Sequence, residues 1–148
     1  MNLKITALAL LLMGSASFSA CKKDDDNKPA ASNTVQLKAT INAQQEVPTN
    51  NSTATGAMTG SYDKTTRVLT YTVTYQGITP LAGHIHQAAP GVNGGVIVPF
   101  ASVASSPITG TATLSEADGA KLLAGETYVN FHTQANKDGE IRGNISVQ

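Results

Sequence analysis

With one cysteine in 148 residues, this chain has no internal disulfide, so its stability must come from packing. Charge is scarce and balanced, ten basic against ten acidic residues. Lys and Arg form no cluster, which argues against nucleic acid as a partner, because phosphate binding needs such clusters. Beyond the N-terminus no apolar run is long enough to cross a membrane as a helix. Also missing are a Gly-x-Ser-x-Gly elbow and a Gly-rich phosphate loop carrying Lys. No residue is therefore assigned a catalytic role.

What is present starts with an export signal. Lys4 supplies a positive start, residues 5–13 form a short apolar run, and small residues lead to Cys21. Residues 1–20 read as a lipoprotein signal, with Phe18 where leucine is more usual. Cys21 is the expected lipidation site, which accounts for its lack of a disulfide partner. Residues 21–33 form a charged tether opening Lys22-Lys23-Asp24-Asp25-Asp26. It reads as a solvated spacer, and it also resembles the tag of lipoproteins sent to the cell surface. The expected location is the bacterial cell envelope, anchored by lipid to the outer membrane and facing either the periplasm or the medium.

Residues 34–148 make one domain's worth of chain. Val35, Leu37, Ala39 and Ile41 alternate with Gln36, Lys38, Thr40 and Asn42, a half-buried strand. Leu69, Tyr71, Val73 and Tyr75 alternate with Thr70, Thr72 and Thr74 in the same way. Asp63 suits the turn before that second strand, so the two strands around it predict a hairpin. Further strands are predicted over 83–87, 95–100, 108–114, 127–133 and 140–147. About eight strands with turn residues between them predict an all-β fold, an antiparallel two-sheet β-sandwich. One short helix is predicted after Ser115, which has capping-box spacing to Asp118, with Gly125 as its stop.

All three histidines fall in two of these strands. His84 and His86 share a face of one, and Asn130 and His132 share a face of the other. Glu140 and Arg142 are expected to share a face of the last strand. Three imidazoles can hold a single copper or zinc ion, with Glu140 as a fourth ligand or as acceptor for an imidazole N–H. Arg142 opposes a cation there unless Glu140 neutralises it. The alternative is a polar network in which Glu140 pairs with Arg142 and the histidines bond to them and to Asn130. The turn-rich stretch 90–95 could form a lip over this face, or serve only as a connecting loop.

Taken in order, several segments resemble the CHRD domain, a repeat first named from chordin. They are Leu37-Lys38-Ala39-Thr40, Gln45-Glu46-Val47-Pro48, Ala82-Gly83-His84-Ile85-His86, Gly91-Val92-Asn93-Gly94, Leu122-Leu123-Ala124-Gly125-Glu126, Tyr128-Val129-Asn130-Phe131-His132-Thr133 and Asp138-Gly139-Glu140-Ile141-Arg142-Gly143-Asn144-Ile145. The resemblance spans about residues 35–147 and departs at Gln87-Ala88-Ala89-Pro90, where a glycine is more usual. It implies a β-sandwich of immunoglobulin-like or superoxide-dismutase-like character and no general catalytic role. Three histidines fill at most one mononuclear site, not the bridged pair of a copper–zinc dismutase. The expected function is a binding or adhesion module with an unidentified protein or glycan ligand. Mononuclear copper or zinc binding, with redox or hydrolytic activity, is the alternative.

Overall fold

The computed structural model describes residues 32–148. The expected signal, Cys21 and the tether up to residue 31 lie outside them. The elements are β1 (Thr34–Asn42), β2 (Thr55–Asp63), β3 (Val68–Gln76), β4 (Ala82–Gln87), β5 (Gly95–Pro99), β6 (Ile108–Thr113), α1 (Glu116–Leu123), β7 (Thr127–His132), β8 (Ile141–Asn144) and β9 (Ser146–Val147).

Local sequence accounts for most of them. On β1 the buried side chains are Leu37, Ala39 and Ile41, with Lys38 and Thr40 exposed between them. On β3 they are Leu69, Tyr71 and Val73. The hairpin between β2 and β3 forms because Asp63 Oδ1 accepts from the Thr65 and Thr66 amides at 2.8 and 2.9 Å. At the head of α1 the Ser115 hydroxyl accepts from the Asp118 amide at 3.1 Å. Gly125 ends the helix with φ +74°.

All pairings are antiparallel, and the ladder runs β5-β4-β7-β8-β1-β2-β3-β6, with β9 also on β1, as one nine-stranded sheet. It is nearly closed. A cleft of about 490 Å³, lined by Tyr71, Ile97, Val98 and Ile108 among others, separates the free edges of β5 and β6. The predicted all-β antiparallel class with one short helix holds. The ladder itself does not divide into two sheets, although it thins to one pair, Asn42 with Arg142, where β8 meets β1. The predicted last strand is split at Ile145: β8 lies on β7, whereas β9 lies on β1 opposite Leu37 and Lys38.

A single core fills the interior. Aromatic rings join its two ends, with Tyr71–Phe100 at 5.3 Å, Phe100–Phe131 at 5.8 Å and Phe131–Tyr75 at 5.1 Å. Tyr62 and Tyr71 are core residues. Each such buried ring contributes roughly 2–3 kcal/mol.

The β8–β1 seam requires a residue without a side chain. A Cβ on Gly143 would lie 2.5 Å from the Thr40 carbonyl oxygen and 2.7 Å from Ile41 Cγ1. Gly143→Ala is therefore expected to destabilise the domain by about 1–3 kcal/mol. Urea melts of the two proteins test this, and equal midpoints would mean the seam has slack.

Candidate metal centre

The face of β4, β7 and β8 turned away from the core carries the polar residues. Register sets His84 beside Asn130, His86 beside Tyr128, and Asn130 beside Arg142. A register shift between Ile85 and His86 interrupts the β4–β5 pairing beside the two histidines, as bulges do where a side chain must be re-aimed.

His84, His86 and His132 do come together. Each offers one ring nitrogen, and these atoms all lie within 4.8 Å of one another. The His84 ring meets those of His86 and His132 edge-on at 5.4 and 5.2 Å. His86 Nδ1 lies 3.0 Å from the Gly94 carbonyl, and His132 Nδ1 lies 2.8 Å from the Lys137 carbonyl. A carbonyl only accepts, so in both rings Nδ1 carries the proton and Nε2 keeps its lone pair. His86 Nε2, His132 Nε2 and His84 Nδ1 are buried, with no partner among the described residues.

Burial lowers the pKa of His84, helped by nearby His132. Burial also lowers that of His86, against the Gly94 hydrogen bond, with His84, His132 and Arg142 adding to the fall. Both imidazoles are therefore neutral near pH 7, as metal ligation requires.

The expected Glu140–Arg142 pair is corrected by the structure. β8 begins at Ile141, after Gly139 with φ +143°, so strand alternation does not extend back to Glu140. The Glu140 carboxylate accepts from the hydroxyls of Ser52 (2.7 Å) and Thr133. Burial works to raise its pKa, but the bonds from Thr133, Ser52 and Asn136 outweigh it, and the net shift is down.

Arg142 is fully buried and makes no salt bridge among the described residues. Its guanidinium donates to Asn93 Oδ1 at 3.1 Å and to the Val92 carbonyl at 2.9 Å. It also lies 3.4 Å from the centroid of the Tyr128 ring, a cation–π contact. That ring stacks on His86 at 4.8 Å and 3°. The Gly94 amide donates to the Tyr128 hydroxyl at 3.1 Å. Loop 88–94 is thus a pinned lip over the face.

The site also holds two residues that the sequence reading did not assign to it. Tyr128 is found by extending the alternation of Asn130 and His132 back two positions. Glu46 follows the single 3-10 turn after β1 and is 4% exposed, and Asn130 Nδ2 donates to it. Burial pushes the Glu46 carboxyl from 4.5 up to about 7, against the Val47 amide, Arg142 and Asn130. Gly139 makes room for this pair, since a Cβ there would lie 2.6 Å from both Asn130 Nδ2 and Glu46 Oε1.

Compared with known proteins, the chain matches one family model, described as CHRD domain, over residues 37–145. No curated protein and no solved structure matches it.

The face imposes two opposite pH dependences. The unfolded chain protonates His84 and His86 near 6.5, and the folded chain protonates them only lower. Their contribution to stability is intact above 6.5 and is lost as pH falls toward the folded values. Glu46 holds its proton more tightly when folded, so its contribution is full below 4.5 and is lost as pH rises through about 7. Glu46→Gln should flatten that second decline by about 2 kcal/mol in urea melts taken across the window. An unchanged slope in the variant would show that another group titrates.

Proposed function

Because the chain belongs to the CHRD domain family, we propose that this member binds one copper or zinc ion between His84, His86 and His132. The observation that carries the proposal is three buried ring nitrogens without partners among the described residues, two of them with the proton fixed on the opposite ring atom by a loop carbonyl. Carbonyl partners of this kind orient ligating histidines in metal sites. Metal–nitrogen bonds of about 2.0–2.1 Å require nitrogens roughly 3.4 Å apart. The triad, within 4.8 Å, reaches that by small side-chain rotations. A bound ion would supply Lewis acidity or electron exchange. The residues of this chain hold it, keep the His84 and His86 imidazoles neutral and cover it with the lip.

The domain acts as a binding module and not as an enzyme. Glu140, the carboxylate expected beside the triad, is held by Ser52 and Thr133. The thin β8–β1 seam supports reading the closed ladder as two packed layers. The residue pattern of 1–33 supports display of the module from a lipid on Cys21 in a bacterial envelope. An adhesive contact with a protein or glycan is a second reading. It is supported by Val92 on the lip and Val96 on the adjoining β5, 53% and 48% exposed.

The test is elemental analysis of the full chain, purified in detergent without a histidine tag, paired with melting curves in copper, zinc or chelator. About one equivalent of metal, a higher melting temperature when loaded, and loss of both in His84→Ala/His86→Ala are expected. No bound metal and no shift in melting would sink the proposal. His132→Ala should likewise abolish uptake while the Glu46 pH profile persists.

A further inference from the structure

The charge around the triad bears on which ion it takes. Imidazoles ligate a metal as neutral groups, and no carboxylate joins the three in the cluster. Glu140 is bonded to Ser52 and Thr133, and Glu46 to Asn130 and the Val47 amide. Arg142 is the fixed charge on the face. Its guanidinium lies against Tyr128, and Tyr128 stacks on His86. The two contacts place that charge within about 8 Å of the His86 ring, where a partly buried pair still interacts strongly.

Any ion bound at the triad therefore adds its full charge near Arg142, which makes no salt bridge among the described residues and is attracted only at longer range by Glu46. The Coulomb cost scales with the product of the charges, so a dication suffers twice the penalty of a monocation. Coordination number points the same way. Zinc is four-coordinate as a rule, so on this triad it needs a bound water as well. A d¹⁰ monocation is satisfied by three nitrogens in a plane. We propose that the triad selects cuprous copper over zinc. The ion is taken up already reduced and leaves unchanged, so no electron transfer is involved. This inference rests on the metal-binding role proposed above.

The experiment is a pair of anaerobic competition titrations of the full chain in detergent, one against a chromophoric Cu(I) chelator and one against a Zn(II) indicator. Cu(I) is expected to bind at least ~100-fold more tightly than Zn(II). Arg142→Gln removes the charge, and it should strengthen Zn(II) binding by the square of the factor by which it strengthens Cu(I), for instance ~10-fold against ~3-fold. Zinc binding as tight as copper would overturn the selectivity and leave metal binding standing. Binding of neither ion would overturn both. Equal gains for the two ions in Arg142→Gln would overturn the electrostatic cause. Should that variant fail to fold, the wild-type competition decides alone.

Discussion

A guanidinium buried without a salt bridge among the described residues has to find most of its compensation in dipoles and π density. Arg142 meets that demand by drawing in three groups from two separate parts of the chain. The Val92 carbonyl and the Asn93 side chain come from the lip, and the Tyr128 ring comes from β7. Because the lip is held there, the Gly94 peptide stands between His86 and Tyr128, taking a proton bond from one and giving one to the other. The tautomer of His86 is thus a downstream consequence of where Arg142 is satisfied. Removing a partner from such a group leaves it stranded, which is costlier than never having buried it.

The second consequence is that β7 has no solvent face. Val129 and Phe131 fill the apolar core, while Tyr128 and Asn130 on the other side are equally covered. The molecule holds an apolar core and, one strand thickness away, a small polar one. Desolvation in the latter keeps His84 and His86 neutral and Glu46 protonated to unusually high pH. A low dielectric makes each of these polar contacts matter more than it would at the surface.

Much of this was legible in the chain. The period of two in β1 and β3 is strict, so which residues point inward follows from sequence alone. The Asp63 turn and the Ser115 cap are local chemistry and form as expected. The histidines met because strand parity put them on one face and adjacent pairing joined the strands. Parity failed at Glu140 because Gly139 bends the backbone before β8 starts. Glu46 escaped because its bond to Asn130 spans 84 residues and starts from a turn, where no periodicity marks a face. The division at Ile145 depends on which neighbour each half of the segment meets, and that is a tertiary choice.

The placement of the last residues also constrains the order in which the domain can form. β8 is the strand that joins β7 to β1, β9 lies on β1, and the Gln148 side chain bonds to the Leu37 carbonyl 111 residues earlier. Until that end is available, β1 has only β2 beside it, and the strands that carry the histidines have no link to the first hairpins. Folding therefore cannot proceed strand by strand from the N-terminus. Early hairpins form and wait, and closure comes late, by contacts of high sequence separation that slow it. Waiting intermediates expose unpaired strand edges, so the chain is best shielded from its neighbours until β8 and β9 have paired.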